Sequence, residues 1–378
     1  MTRPVILGGA PYIYDYYRKT AAILLDETGG NTGNLAFRYA IANQLAAPAI
    51  LPWHAPIQDI RAAGDVIVLP LANQLGAHTQ LGPQVDRLEQ IGLPIVGLGL
   101  GAQAKSAEDD IVLDPGTKLW LETLVKHSPT SRPNLGVRGP YTAAQIAKQG
   151  FPNATEVTGC PSNFINTQDD IARAVAAGWK RKIRHVAVAA GIPYIPSLAE
   201  IERSLAQIVT ATGGAYIVQH GIEMLRLARR EFDQMGPDVF ALCKKYISPT
   251  STDDEFKTWC RTYAYAFFDI RVWMDFLRRF DFVVGTRIHG VMLAIQAGVP
   301  AGCIAHDSRT MELCTTMAVP VRHFADIKAP LTCDNLLDYF EFDPEKYRET
   351  RRSLCSNYLS ILASAGVRPS EGLLRVGR

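Results

Sequence analysis

Long apolar runs are absent from this 378-residue sequence, and none approaches the roughly 20 residues that a membrane-spanning helix needs. The apolar stretch at the N-terminus is too short for a secretory signal peptide. Seven cysteines, an odd number, show neither CxxC nor Cys/His metal-ligand spacing, which argues against a disulfide framework and a zinc site. We therefore expect a soluble cytoplasmic protein, for which peripheral contact with the inner face of the membrane stays open.

An excess of charge of one sign is also missing, because the net charge is only +2. Nucleic-acid-binding proteins normally carry a basic stripe, so no nucleic-acid partner is expected. The sequence has no G-x-x-x-x-G-K-[ST], H-E-x-x-H or G-x-S-x-G motif and no closely spaced carboxylate pair. We therefore predict neither a metal nor a cofactor, and the oligomeric state stays open.

Short apolar segments instead alternate with segments of helical period. Continuous apolar runs are typical of strands covered on both faces, and their alternation with helices predicts parallel βαβ units. We expect an α/β fold of two doubly wound, Rossmann-like domains facing a cleft. The predicted strands cover residues 4–8, 65–69, 94–98, 185–190, 215–219, 280–284 and 301–305. The predicted helices cover residues 34–45, 83–91, 198–212, 259–278, 290–297 and 344–363.

The pattern restarts after residues 169–184, where a helix and a basic run separate two series of strands. This break predicts an N-terminal domain over residues 1–172 and a C-terminal domain over residues 173–340. Residues 341–378 would form a final helix and tail. In doubly wound sheets, ligands bind at the carboxyl ends of the strands, so the loops that follow the strands are the places to search for a site.

The most informative loop is Gly285-Thr286-Arg287-Ile288-His289-Gly290, between a predicted strand and a predicted helix. Arginine offers a planar fork to carboxylate or phosphate, and histidine transfers protons near neutral pH. The N-terminus of the following helix adds free N–H groups and a positive dipole end. This loop predicts a site for a small anion that also needs acid–base chemistry.

Other strand-end loops supply further candidates, each with a structural alternative. Arg138, between two glycines, binds an anion or bridges to a surface carboxylate. His220 is either catalytic or a hydrogen-bonded structural histidine. Asp307 and Arg309 orient a histidine and bind an anion, or cap the next helix. Residues 29–34 (GGNTGN) either approach a sugar or form a turn. Residues 97–101 offer close backbone approach rather than NAD binding, and residues 99–103 are expected as a strand-end loop. Cys160 is assigned to packing, and a role as nucleophile would require a histidine base nearby.

Taken together, these segments resemble the polysaccharide pyruvyl transferase family. Residues 284–300 resemble its hallmark, residues 136–142 its R-G-P-x-[ST] segment, and residues 31–34 its glycine-rich opening loop. Residues 159–162 match a strand-end turn of that family. Many members have an acidic residue after the opening glycine, where this chain has Asn34, and often a lysine where this chain has Arg309.

The resemblance implies a GT-B-like fold, phosphoenolpyruvate as donor substrate and a sugar hydroxyl pair as acceptor. The C-terminal domain would then hold the donor and the N-terminal domain the acceptor. The catalytic candidates are His289, Arg287, His220 and Asp307. The substrate-binding candidates are Arg138, Arg287, Ile288, His289, Gly290, Arg309, Asn31, Asn34 and Gln103. A nucleotide-sugar glycosyltransferase and a non-catalytic glycan- or anion-binding protein are the alternative functions on the same scaffold.

Overall fold

The computed structural model describes residues 2–104, 109–168, 170–327 and 330–378. Its first sheet is parallel, with strand order β2-β1-β3-β5-β6-β7, and β4 also pairs with β5. These strands are β1 (Pro4–Leu7), β2 (Ala49–Leu51), β3 (Val66–Pro70), β4 (Asn73–Leu75), β5 (Ile95–Ala102), β6 (Leu135–Val137) and β7 (Thr155–Val157). The accompanying helices are α1 (Ala21–Glu27), α2 (Asn34–Gln44), α3 (Ile57–Ala63), α4 (Val85–Ile91), α5 (Pro115–Lys126), α6 (Pro140–Lys148) and α7 (Ile171–Trp179).

The second sheet is also parallel, in the order β10-β9-β8-β11-β12-β13. Its strands are β8 (Val186–Ala189), β9 (Ala215–Ile217), β10 (Ala264–Tyr265), β11 (Phe282–Gly285), β12 (Ala301–Ala305) and β13 (Val321–His323). Its helices are α8 (Ala199–Thr212), α9 (Ile222–Arg229), α10 (Pro237–Ile247), α11 (Asp253–Tyr263), α12 (Ile270–Leu277), α13 (Ile288–Gln296) and α14 (Ser308–Thr316). Helices α15 (Pro344–Ser364) and α16 (Glu371–Val376) end the chain.

Two parallel, doubly wound sheets confirm the predicted fold class. In each sheet the strand order reverses once, between β1 and β3 in the first and between β8 and β11 in the second. Ligands of open α/β sheets bind at such switch points, because the loops on either side diverge and leave a crevice. The fold therefore contains two crevices, one at the carboxyl edge of each sheet.

Helix α15 returns to the first sheet after the second sheet is complete. The Asn357 side chain donates to the Val157 carbonyl at 2.9 Å, and Arg351 Nε donates to the Asn163 carbonyl at 2.8 Å. Both contacts connect the end of the chain to elements that precede residue 172. The predicted domain boundaries stay a prediction. No helix among the described residues is long and apolar enough to cross a membrane.

Two sequence expectations are wrong. The single helix predicted over residues 259–278 is two helices, because α11 ends at Tyr263 and the next two residues form β10 beside β9. Asp269 then caps α12 by accepting from the Arg271 N–H at 2.9 Å. Residues 99–103, expected as a loop, lie mostly within β5, which pairs with β4 as far as Ala102.

Candidate functional site

A cavity of about 370 Å³ lies between the two sheets. Its walls come from loops at the carboxyl ends of strands in both domains, as the strand-end rule predicts. The first domain contributes Gly29, Gly30, Asn31, Asn34, Ala72, Asn73, His78, Gln103 and Arg138. The second domain contributes Gln219, His220, Thr286, Arg287, Ile288, His289, Arg309, Thr310 and Leu313.

Arg287 and His289 stand at the switch point of the second sheet, where β11 turns into α13. Arg287 is the extended residue before the helix, and His289 lies in its first turn. Arg287 Nε is buried and has no hydrogen-bond partner among the described residues. Behind it, the buried carboxylate of Glu202 accepts from Thr286 Oγ1 at 3.3 Å and from the Tyr216 hydroxyl at 2.7 Å. A buried guanidinium with an unused donor is suited to binding an anion.

Arg138 reaches the same cavity from the first domain, at the end of β6. Its side chain is only 5% exposed, and its Nε donates to the Gly99 carbonyl at 2.8 Å. A Cβ at Gly101 would lie 2.8 Å from Arg138 Cδ, so β5 needs a glycine there to admit the arginine. Gly101 therefore allows close packing around a charged side chain, whereas Gly97 and Gly99 pack against Leu71.

The glycine-rich loop of the first domain is joined directly to the second domain. The Thr32 N–H donates to the Gln219 carbonyl at 2.8 Å, and Asn31 forms an isolated antiparallel bridge with His220. Within the loop, the Asn31 side chain accepts from the Gly33 N–H at 2.8 Å. Asn34 Nδ2 donates to the Thr28 carbonyl at 2.9 Å. Both asparagines line the cavity, and both also fix the loop.

Burial and mutual repulsion dominate the electrostatics of this cavity. Burial lowers the pKa of His289 to about 3, and the positive charges of Arg138 and Arg309 act in the same direction. Burial likewise lowers the pKa of His220 to about 4, with contributions from Arg287 and Arg309. Both imidazoles are therefore neutral at pH 7 while the cavity holds no anion. An anion would offset the repulsion and raise both pKa values.

Cys160 contacts the predicted proton-transfer residue. Its Sγ lies 3.8 Å from His289 Nε2, and the Ser162 hydroxyl donates to the same sulfur at 3.0 Å. The sequence could not show this neighbour, because 129 positions separate the two residues. Cys160 is 1% exposed and does not line the cavity, so the thiol packs against the imidazole inside the cavity wall. Cys160 therefore packs in the interior, as predicted from the sequence, and also makes a polar contact with His289.

Asp307 does not line the cavity. Its carboxylate pairs with Arg309 at 3.0 Å and caps α14 by accepting from the Thr310 N–H at 2.7 Å. It also lies 3.6 Å from His306 Nε2, so it could orient that histidine, which is not among the candidates. Gly290 also lies outside the lining. It packs inside α13, where a Cβ would lie 2.7 Å from both the Ala189 Cβ and Gln219 Nε2.

A carboxylate from the second domain occupies the N-terminus of α6, directly after Arg138. Glu312 Oε1 accepts from the Thr142 N–H at 3.0 Å, and Glu312 Oε2 accepts from the Thr142 hydroxyl at 3.2 Å. Negative charge is favourable at a helix N-terminus. Thr142 therefore donates to the capping group, and Glu312 connects the two domains beside the cavity.

Nine of the eleven site residues predicted from the sequence line the cavity, and Asp307 and Gly290 do not. Sequence reasoning missed five polar lining residues: Asn73, His78, Gln219, Thr286 and Thr310. Gln219 and Thr286 lie in strand-end loops and Asn73 begins β4 just after the end of β3, so a search by position would find all three. His78 and Thr310 lie beyond the strand ends and carry no comparable signal. The catalytic and binding roles of all these residues remain predictions.

No group of three or more His, Cys, Asp or Glu side chains that could hold a metal ion occurs in the part of the chain that the structure describes. Of the three cavity arginines, Arg309 alone has an ion-pair partner within 4.0 Å among the described residues. Positive charge at this site therefore comes from Arg138, Arg287 and Arg309. A dianionic ligand would match that charge.

Comparison with known proteins gives a family match. The model of the polysaccharide pyruvyl transferase family matches residues 31–308. No curated protein matches the chain. Among solved structures, an S. aureus MnaA–UDP complex is 9% identical over 96% of this chain and 98% of its own, with a TM-score of 0.45. A Neisseria meningitidis UDP-GlcNAc 2-epimerase bound to UDP-GlcNAc is 9% identical over 100% and 96%, with a TM-score of 0.43.

Proposed function

Because the chain belongs to the polysaccharide pyruvyl transferase family, we propose that it transfers pyruvate from phosphoenolpyruvate to a hydroxyl pair of a glycan. The products are a pyruvate ketal and inorganic phosphate. The acceptor is a polysaccharide, glycolipid or lipid-linked oligosaccharide precursor of an exopolysaccharide or other cell-surface glycan. The observation that carries the proposal is the set of three cavity arginines around two neutral histidines, with a single ion-pair partner among the described residues.

The charge of phosphoenolpyruvate fits this cavity. Its carboxylate and phosphate are separate anionic groups, and Arg138 and Arg287 approach from opposite domains. One guanidinium can clamp the phosphate and the other the carboxylate, while Arg309 adds positive charge. The unused Nε of Arg287 gives one of these clamps a donor that the protein does not occupy. The donor thereby bridges the two domains.

Proton transfer follows from the electrostatics. The anionic donor offsets the repulsion from Arg138 and Arg309 and attracts the imidazolium, so it raises the pKa of His289 against the effect of burial. We assign to His289 the proton that the donor receives. Donation of that proton to C3 of the enolpyruvyl group makes the methyl group and gives C2 oxocarbenium character. The arginines stabilise the charge on the phosphate and carboxylate throughout.

The acceptor then attacks C2 twice. The first sugar hydroxyl adds to C2 and loses its proton, the C2–O bond to phosphate breaks, and the second hydroxyl adds and loses its proton. One of the two released protons restores His289, and the other leaves with the phosphate. His220, whose Nδ1 is buried without a partner among the described residues, accepts a hydroxyl proton.

Phosphate release from phosphoenolpyruvate, measured against a panel of sugar and oligosaccharide acceptors, tests this function. The proposal requires acceptor-dependent phosphate release and a product heavier than the acceptor by pyruvate less water. Release of a nucleotide from a nucleotide-sugar, with no phosphate from phosphoenolpyruvate, would instead identify a glycosyltransferase. Binding of phosphoenolpyruvate or glycan without phosphate release would identify a non-catalytic binding protein.

A further inference from the structure

A second cavity, of about 700 Å³, lies at the switch point of the first sheet. Its walls come from the loops after β1, β2 and β3, and from the facing sides of α1 and α2. We call it the aromatic groove and define it by Tyr12, Tyr14, Trp53, Leu71, Gln74 and Arg38. Nothing in the donor chemistry described above uses it.

The groove presents aromatic faces to solvent. Tyr14 is 71% exposed, and its hydroxyl lies 2.8 Å from that of Tyr12, with the rings edge to face and 4.8 Å apart. Trp53 is partly exposed on the loop after β2, and the Arg87 guanidinium lies 5.9 Å from its ring centre. Exposed aromatic groups at a cavity mark binding sites, because they offer apolar area beside a polar edge.

The tyrosine loop is fixed against the second domain. The Ile13 N–H donates to the Phe268 carbonyl at 3.0 Å, and Tyr12 forms an antiparallel bridge with Asp269. The Arg271 guanidinium covers the Tyr12 ring at 5.3 Å. A platform held in this way loses little conformational entropy when a ligand stacks on it.

The aromatic groove differs from the arginine-lined cavity in its charge, which is balanced rather than positive. Lys19 pairs with Glu27 at 2.8 Å, and Arg38 and Asp26 also line the groove, so the charges are balanced. Arg38 Nη1 donates to the Glu27 carbonyl at 2.9 Å. A balanced, aromatic and hydrogen-bonding surface suits a neutral polyhydroxylated ligand better than a phosphate.

The groove adjoins the arginine-lined cavity. Leu71 and Gln74 line the groove, whereas Ala72 and Asn73, between them in sequence, line the cavity. The Arg38 guanidinium forms part of the same partition. A Cβ on Gly9, in the groove, would lie 2.2 Å from Arg38 Nη1, and a Cβ on Gly29, in the cavity, would lie 3.1 Å from Arg38 Nη2.

We propose that the aromatic groove holds the sugar units of the acceptor that lie beyond the reacting sugar. The enzyme then selects an oligosaccharide or longer glycan over a free monosaccharide with the same terminal sugar. This inference rests on the proposed function for the identity of the chain that fills the groove. The stacking of sugar rings on Tyr14 and Trp53 supplies the preference.

The test compares matched ligands on matched variants. Methyl glycosides of glucose, galactose, mannose and their N-acetylamino forms are titrated beside di- to tetrasaccharides ending in the same sugars, with saturation-transfer NMR and calorimetry as readouts. The wild-type protein should bind at least one oligosaccharide about tenfold more tightly than its methyl glycoside, equivalent to about 1.4 kcal/mol. Tyr14→Ala and Trp53→Ala should each reduce this ratio.

Tyr17→Ala is the matched control, because Tyr17 is 66% exposed on the same loop and does not line the groove. It should keep the wild-type ratio. Equal affinity for mono- and oligosaccharides across the panel would overturn the proposal. So would an unchanged preference in both Tyr14→Ala and Trp53→Ala, with melting curves showing each variant folded.

The phosphoenolpyruvate response separates this inference from the proposed function. The groove variants should keep the wild-type shift in melting temperature with phosphoenolpyruvate, because they do not touch the arginine-lined cavity. If the wild-type protein showed no such shift, the donor assignment would fail. The oligosaccharide titration would still decide whether the groove binds glycan.

Discussion

At the switch point of the second sheet, the loop after β11 presents Arg287 and His289 to the interdomain cavity. At the switch point of the first sheet, the loops after β1 and β2 present Tyr12, Tyr14 and Trp53. Both crevices have the same topological origin, yet one is cationic and buried and the other is aromatic, charge-balanced and open. The fold fixes where a ligand can bind, and the loop residues decide which ligand.

The largest difference between variants of the two crevices should concern proton transfer. His289→Gln keeps a polar side chain and removes the titrating group, so turnover should fall by roughly 10²–10⁴-fold while donor affinity changes little. Single-turnover rates beside donor titrations measure this. Tyr14→Ala should leave the donor titration unchanged. A parallel loss of donor binding and turnover in His289→Gln would make His289 a phosphate contact instead.

Charge recognition gives the next largest effect. Arg287→Lys keeps the positive charge but removes the fork, so phosphoenolpyruvate should bind about 10- to 100-fold more weakly, the equivalent of a lost charge-assisted hydrogen bond. Arg87→Lys, the same change beside Trp53 of the aromatic groove, should leave donor affinity at the wild-type value. Calorimetric titration of both variants decides. Equal effects would abolish the distinction between the two crevices.

If instead His289 and Arg287 only stabilise the strand-to-helix turn, their variants should show a lower melting temperature, and any loss of turnover should follow from that loss of stability. Circular dichroism melts of His289→Gln and Arg287→Lys, recorded beside the kinetic measurements, separate these outcomes. Folded and fully active variants of both residues would contradict the site assignment.

Acid should destabilise the protein through the neutral histidines of the cavity. The pKa of His289 is about 3 and that of His220 about 4 in the folded protein, whereas an unfolded histidine titrates near 6.5. Below that pH the unfolded chain binds protons that the folded protein does not, so the free energy of unfolding falls. The loss should be roughly 1–2 kcal/mol for each histidine at pH 5.

Urea unfolding at pH 7 and pH 5 measures this loss. The double variant His220→Gln/His289→Gln should lose less stability between the two pH values than the wild type. His54→Gln, an exposed histidine of the aromatic groove, should behave as the wild type. An identical pH dependence in the double variant would show that these two imidazoles are not held neutral.

Exhaustive chelation should have the smallest effect, with turnover unchanged after treatment with EDTA. Arginines supply the positive charge that a metal would otherwise provide. Phosphate release before and after chelation measures this. Loss of activity that magnesium or zinc restores would contradict it.

Much of the fold could be predicted from the sequence because continuous apolar runs mark buried parallel strands. The segment at residues 259–278 could not, because its aromatic residues keep a helical spacing across the two residues that pair as β10. That pairing depends on β9, which is distant in sequence. A local pattern does not contain such a partner.

Some features of the candidate site could be predicted from the sequence and others could not, for the same reason. Arg287, His289 and Arg138 were predictable because each stands in a glycine-containing segment where a strand turns into a helix. The contact of Cys160 with His289 and the capping of α6 by Glu312 could not be predicted, because each joins residues from different domains. The aromatic groove was also missed, although its tyrosines lie in a loop that the strand-end rule marks for search.

Melting curves with added ligands decide whether the arginine-lined cavity binds phosphoenolpyruvate. Phosphoenolpyruvate should raise the melting temperature, since a ligand at a hundredfold excess over its Kd stabilises the folded protein by about 2.7 kcal/mol. NAD and a UDP-sugar should not raise it. A shift with the UDP-sugar and none with phosphoenolpyruvate would contradict phosphoenolpyruvate binding and favour a nucleotide-sugar enzyme.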